Sequence, residues 1–315
     1  MRNYDQNIRL KNIVLYILKD FKGGTDYIKL YKILYFASRE QLAETGIPLI
    51  YDNFKAWHKG PVPSFTGSIV KRLEKKEPLT GHMSSFEGAL KVNANKKVQA
   101  LTEADNESIP EYTRHLIDKY IRKYKFYNSI QLSKDSHDEA WREAYEEGGG
   151  KTHGNAIINP VSMARVGGGD EDIQNLIKLL FSHDHEYITV YDNSDEWKNN
   201  EELAFEIHHI MKMTDSWDGD DAEAIPKTTA LNCRKMILKK KASILNIESL
   251  YPTPSGTICL DWRKNGAKVS AEIGDSKFAF YYSSSDRKDI YDSPTLDFND
   301  AGLDMLFQYL EKIEN

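Results

Sequence analysis

The chain has 315 residues, 40% of them hydrophobic, and a formal net charge of −6, which is enough length for two domains and a substantial core. No apolar run approaches the roughly 18–20 residues of a transmembrane helix, and Arg2, Asp5, Arg9 and Lys11 leave no room for a signal-peptide core, so a soluble cytoplasmic protein is expected. The charge is uneven: Met1–Glu147 carries 24 Lys+Arg against 20 Asp+Glu and the remainder 18 against 28, a net +4 beside a net −10. The acidic half argues against nucleic acid as a main partner, because neutralising phosphates needs clustered cations.

The first helix shows Leu10, Ile13, Val14, Ile17, Leu18 and Phe21 at a 3.6-residue period, stopped by Gly23-Gly24. Thr25 or Asp26 is the expected cap of the next helix. In it Leu30, Ile33, Leu34, Ala37 and Gln41 share one face, while Tyr27, Tyr31 and Tyr35 form a second stripe. A helix apolar on two faces is packed on both, so this one is expected at the centre of its domain. Gly46 ends it, as a residue tolerant of positive φ does. Ile47 to Trp57 reads as extended, and Lys59-Gly60-Pro61-Val62-Pro63 as a rigid turn into a helix over Ser64–Lys75 that buries Phe65, Ile69, Val70 and Leu73.

Leu90, Val92 and Ala94, then Val98 and Ala100, alternate as in a small hairpin. Ser108-Ile109-Pro110-Glu111 reads as a capping box opening a helix with Leu116, Ile117, Tyr120, Ile121 and Tyr124 inward. Ser136 with Glu139 reads as a second box, placing His137 in the first turn of a helix that carries Trp141 and Tyr145. Gly148-Gly149-Gly150 and Gly167-Gly168-Gly169 bracket an expected mobile connection. The Gly150-Lys151-Thr152 run is no phosphate loop, since Tyr145 stands where Walker A needs a glycine.

The second half starts with a helix at Ile173, Leu176, Ile177 and Leu180, a candidate strand at Tyr187–Tyr191, a helix at Leu203–Met211 and another over Thr228–Lys241. The period then changes to two. Ile258, Leu260 and Trp262 lead into Asn265-Gly266, a type I′ hairpin signal; Val269, Ala271 and Ile273 return, and Phe278, Phe280 and Tyr282 go out again. The last helix, with Leu303, Leu306, Phe307, Leu310 and Ile313, is expected to cover the apolar face of this antiparallel meander. The fold class is therefore α+β: a mainly helical domain over 1–168 with a small hairpin, and a domain over 169–315 of helices packed on a β-meander.

The ordered pieces Lys29-Leu30-Tyr31-Lys32-Ile33-Leu34-Tyr35-Phe36-Ala37, Gly46-Ile47-Pro48-Leu49 and Ala56-Trp57-His58-Lys59-Gly60-Pro61-Val62 resemble the Panacea antitoxin domain of bacteria and phages. Leu132-Ser133, Ser136-His137 and Trp141 extend the likeness. The resemblance covers about the first half of the chain. It implies an antitoxin of a toxin-antitoxin system, as in phage defence, that neutralises a cognate toxin protein by direct binding, and no enzyme. Ser216-Trp217-Asp218-Gly219 with Pro252, Pro254, Gly256, Ile258, Leu260 and Trp262 is similar to a small uncharacterised bacterial domain, which carries no function over.

Trp57, His58, Lys59, Gly60 and Pro61, with His137 and Trp141 nearby, form the expected protein-binding surface. Gly-Pro fixes a turn with open carbonyls, Trp dominates interface energies, and Lys59 steers an acidic partner. His137 has only Asp135 and Asp138 beside it in sequence, which favours a hydrogen-bonding role over catalysis. No cofactor or metal is implied. Asp218, Asp220, Asp221 and Glu223 fit no EF-hand spacing, and His183-Asp184-His185 and His208-His209 are weak ligand sets. The alternative function is a fused protein whose C-terminal half is a metal-dependent toxin enzyme restrained by the first half, although no HExxH, nucleophile elbow or dinucleotide fingerprint supports it. Cys233 and Cys259 are too few for a disulfide framework and read as buried thiols.

Overall fold

The structure is a computed structural model and describes residues 4–150, 156–178, 194–219, 221–239 and 247–314. The chain separates into two compact units, Met1–Thr189 and Val190–Asn315. Helices dominate the first unit, and the second holds an antiparallel sheet of six strands with helices, so the architecture is α+β.

In the first unit α1 (Tyr4–Leu18) buries Leu10, Ile13, Val14, Ile17 and Leu18. The two-residue strand β1 (Thr25–Asp26) follows, and Asp26 rather than Thr25 caps α2 (Tyr27–Thr45), accepting from the Ile28 amide at 2.7 Å. Gly46 closes α2 with a φ of 64°. The two apolar stripes do make α2 central: α1, α4, α5, α7 and α8, introduced below, all pack on it. Burial continues around almost the whole cylinder, taking in Lys32, Ser38, Gln41 and Thr45 besides the apolar residues.

The segment after Gly46 is extended only at its end. β2 (Phe54–Trp57) pairs antiparallel with β3 (Gly60–Pro63), so Gly60–Pro63, expected as a turn, is the return strand of a hairpin whose turn is His58-Lys59. Asp52 is bent back to accept from the amides of Phe65 and Thr66, at 2.9 Å each, and supplies the cap that Pro63 does not give to α3 (Ser64–Lys75). Ile69 and Val70 of α3 are buried, while Phe65 and Leu73 are only half-buried. After a 3-10 helix (Gly81–Phe86), β4 (Leu90–Val92) and β5 (Lys97–Ala100) form the expected hairpin, and β1 adds a third strand to β5.

Neither expected capping box forms. α4 (Glu111–Tyr124) begins after Pro110 with no side-chain cap, because Ser108 is occupied between Asn12 and the Asp105 carbonyl. The real box is Asn128 with Gln131, at the start of α5 (Ser129–Asp135). The N-cap of α6 (Glu139–Glu147) is Asp138, not Ser136, so His137 lies before the helix rather than in its first turn. α7 (Pro160–Val166) and α8 (Glu171–Lys178) then pack on α2. Gly167 and Gly169, at the far end of the expected mobile connection, are therefore packing elements, while residues 151–155 of that connection lie outside the described residues. A Cβ on Gly167 would lie 2.7 Å from that of Ala43 and 2.8 Å from the Arg39 carbonyl. Because α8 packs on α2 and α7, the first unit runs on past residue 168.

The second unit contains α9 (Ser194–Ile210), α10 (Lys227–Lys239), the strands β6 (Ile247–Pro252), β7 (Ile258–Lys264), β8 (Ala267–Ile273), β9 (Lys277–Ser283), β10 (Ile290–Asp292) and β11 (Leu296–Asp297), and α11 (Asp300–Glu314). The meander holds in the register expected, with Ile258 opposite Ile273 and Lys264 opposite Ala267 across the turn. Asn265 and Gly266 take φ values of 51° and 86°, both positive as a type I′ turn requires. β6 adds to the β7 edge, and β10 and β11 both add to β9. Ile258, Leu260, Trp262, Val269, Ala271, Ile273, Phe278 and Phe280 share one core with Leu303, Leu306, Leu310 and Ile313 of α11 and with Cys233 and Met236 of α10. Cys259 faces away from that core and is half-buried. The candidate strand at Tyr187–Tyr191 and the His183–His185 set lie outside the described residues.

Candidate functional site

One buried amine ties the β2–β3 hairpin to α2. In the row pairing Ala56 with Pro61 the backbone groups point away from the partner strand: the Ala56 amide donates outward to the Ala156 carbonyl at 2.9 Å. Pro61 is tolerated there because a residue without an N–H loses nothing in such a row. Its carbonyl points outward too, toward α2. Lys32, 1% exposed, donates to it from Nζ at 2.8 Å. Lys32 thus supplies the hydrogen bond that a further strand would otherwise give.

Gly60 is required by the same arrangement. Its φ is 93°, a conformation that L side chains rarely adopt. A Cβ there would overlap Ser136 Oγ and sit 2.7 Å from Lys32 Nζ. The turn from α5 to α6 is therefore packed directly against the hairpin. Trp141, on α6, donates from Nε1 to the Trp57 carbonyl at 2.9 Å. His137 stacks on the Trp141 ring with centroids 3.8 Å apart and planes 7° from parallel, and Tyr145 stacks beyond at 4.6 Å.

Asp138 ties this assembly to α2. One carboxylate accepts from the Trp141 amide at 3.0 Å, from Tyr35 Oη at 2.9 Å and from an Arg39 guanidinium nitrogen at 2.6 Å. Burial, then the Asp138 charge, pushes the Tyr35 hydroxyl well above its ordinary range, so it remains a donor. The α6 N-terminus also favours a carboxylate at its cap.

Burial pulls the Lys32 ammonium down to about 7, with the Asp138 charge opposing the shift. His137 is lowered by burial and then by Lys32, against the Asp138 charge, with His58 lowering it further; its Nε2 is buried without a hydrogen-bond partner among the described residues. Because the folded value of Lys32 lies below the unfolded one, the unfolded chain binds the extra proton between about pH 7 and 10.5. Stability of the first unit therefore rises with pH across that window, at no more than about 1.4 kcal/mol per pH unit from this one group. Lys32→Met should remove that rise. The check is the difference in pH slope between wild type and variant in hydrogen-exchange opening free energies of α2 amides. Equal slopes would show that Lys32 is not held in a dry site.

The expected surface residues do converge, but in two layers. Trp57, 46% exposed, and His58 and Lys59 at the turn face solvent, with His137 half-buried beside them. Gly60, Pro61 and Trp141 are buried, Trp141 at 8% exposure, so they shape the surface rather than form it. The Pro61 carbonyl, expected open, is occupied by Lys32. Lys32, Tyr35, Arg39, Ser136 and Asp138 are not among the site residues expected from sequence. The signal for Lys32 was its position in a helix packed on both faces, where a polar side chain has few ways out. Ser136 Oγ donates to the Ser133 carbonyl, and among the described residues no hydrogen bond joins it to His137 as a nucleophile to its base.

In the second unit, the acidic loop is organised by local bonds. Asp215 accepts from the Ala224 amide at 2.8 Å, and Trp217 Nε1 donates to the Glu223 carbonyl at 3.0 Å. Asp218, Asp221 and Glu223 are exposed, and Asp220 lies outside the described residues. His208 is buried and His209 exposed, as adjacent helical residues on opposite sides are. Among the described residues no group of three or more His, Cys, Asp or Glu side chains is placed to hold a metal ion. Among them, too, no helix is long and apolar enough to cross a membrane.

Residues 30–142 match the model of the family described as antitoxin SocA-like, Panacea domain. The match lies in the N-terminal half and spans Lys32, Tyr35, Arg39, the β2–β3 hairpin, Ser136, His137, Asp138 and Trp141. No curated protein and no solved structure matches the chain.

Proposed function

We propose that this protein is an antitoxin that neutralises a cognate toxin in the cytoplasm by direct protein–protein binding, without catalysis, as part of a bacterial or phage toxin-antitoxin system. The antitoxin-like match over residues 30–142 carries the reading. The site supports it physically: the His58-Lys59 turn and Trp57, the strand residue before it, are held from below by Lys32, Gly60 and Trp141. A surface held in place before contact loses little entropy on binding. A half-exposed Trp beside a cation suits an acidic partner with an apolar recess.

The test is co-expression with the product of a neighbouring reading frame that arrests growth alone. Wild type should restore growth. Lys59→Glu and His137→Ala should each weaken toxin binding by about tenfold, roughly 1.4 kcal/mol, with both variants still folded by thermal melting. If both variants neutralise as well as wild type, this surface is wrong and the second unit becomes the favoured site.

A further inference from the structure

We infer that the corner between α4 and α5 is a second docking surface, and that its occupant is an acidic protein segment with an apolar face. Phe126 is 91% exposed and Ile130 79%, the two most exposed large hydrophobic side chains among the described residues. The corner around them is fixed. The Lys125 amide donates to the Ile121 carbonyl at 2.8 Å and the Tyr127 amide to that of Tyr124 at 3.1 Å. Lys29 Nζ reaches the Lys125 carbonyl at 2.5 Å, and the Tyr127 ring meets that of Tyr124 edge-on at 5.2 Å. The Asn128–Gln131 capping box then fixes the first turn of α5, which carries Ile130. Tyr124 and Leu132, on either side, are buried, so the core takes the residues it needs here and leaves these two outside.

Cations outnumber carboxylates around the pair, with the exposed Asp135 next to Lys134 as the nearest carboxylate in the chain. From Lys119 to Lys134 the chain contains five cations and no carboxylate. Lys119 is paired with Glu40. Arg122, Lys123, Lys125 and Lys134 are exposed, and none has an ion-pair partner among the described residues. Arg122 and Lys123 lie one turn before Phe126, and Lys134 lies one turn after Ile130 on α5. Helix dipoles account for cations at the ends of α4 and α5. They do not account for the two apolar side chains those cations flank. Two apolar groups with unpaired cations around them are complementary to an apolar face edged by carboxylates.

A protein segment is favoured over a larger anionic surface. Four exposed, unpaired cations can neutralise few of the phosphates that an extended bilayer or duplex presents. A segment of limited size meets only the local cations, within a Debye length of about 8 Å.

The experiment uses the full chain and a labelled synthetic amphipathic helix with leucines on one face and glutamates on the other, followed by fluorescence anisotropy. This probe is independent of the toxin-binding reading, so the two stand or fall separately. Saturable binding is expected that weakens with added salt. It should fall about tenfold or more in both Phe126→Ser/Ile130→Ser and Lys123→Glu/Lys125→Glu, and stay unchanged in Lys59→Glu. All of these positions are exposed, and thermal melting checks the fold. The inference is overturned by any of four results: no binding by wild type, equal binding by the two double variants, an equal loss in Lys59→Glu, or capture of phosphatidylglycerol vesicles or a single-stranded oligonucleotide with loss in the same double variants.

Discussion

Asp138→Ala should lower the opening free energy of α2 and α6 amides by about 3 kcal/mol in native-state hydrogen exchange. Three separate losses meet in this one side chain. The α6 N-terminus loses its cap, worth about 1 kcal/mol. Tyr35, fully buried, loses the acceptor of its hydroxyl. Arg39 keeps its charge in a largely covered site with no carboxylate beside it; breaking such a pair from one side costs about 3–5 kcal/mol when burial is complete. The Arg39 and Asp138 side chains are not completely covered, which trims that figure. Asp138→Asn keeps an acceptor for the Trp141 amide and should cost about half as much, since Asn is as good a cap as Asp. A change within the ordinary surface range of about 0.5 kcal/mol for the alanine variant would mean that α6 is not anchored through this carboxylate. The functional consequence reaches further than the contact. Trp141 rides on α6 and holds the Trp57 carbonyl, so the variant should also weaken toxin binding without touching the partner.

Gly60→Ala should destabilise the first unit by about 3–5 kcal/mol. The conformational part alone is about 1–2 kcal/mol, for an L side chain forced to a strongly positive φ. The added methyl group then meets Ser136 Oγ and Lys32 Nζ, and the Lys32 side chain is enclosed, so it cannot swing away to water. If Nζ shifts, the Pro61 carbonyl loses its donor, a further cost of about 1–3 kcal/mol for a buried group. A double-mutant cycle separates the parts. With Lys32→Ala as background, the added cost of Gly60→Ala should shrink by at least about 1 kcal/mol, because the enclosed amine is gone. Strict additivity of the two substitutions would show that Gly60 and Lys32 do not compete for the same space. The same cycle, read by hydrogen exchange of the Trp57–Val62 amides, should locate the loss in the hairpin.

Much of the architecture was legible in residue spacing. The α1 face, the double stripe of α2, the Gly46 stop and the β7–β8–β9 register across Asn265-Gly266 all rest on periods of 3.6 or 2 and on turn chemistry within a few residues. The motif pieces around Lys29–Ala37, Trp57–Val62 and His137–Trp141 likewise sufficed to mark the region that matches the antitoxin-like family. Tertiary structure alone decided which of two tryptophans faces solvent, that Asp138 and not Ser136 caps α6, that Gly60–Pro63 is a strand, and that Gly167 and Gly169 are packed tight on α2. Each of those outcomes depends on groups distant in the chain: Tyr35 and Asp138 are 103 residues apart, and Trp57 and Trp141 are 84. A local period records which face of an element is apolar. It does not record which other element will cover that face, and burial, cap choice and the fate of a carbonyl are all set by that cover.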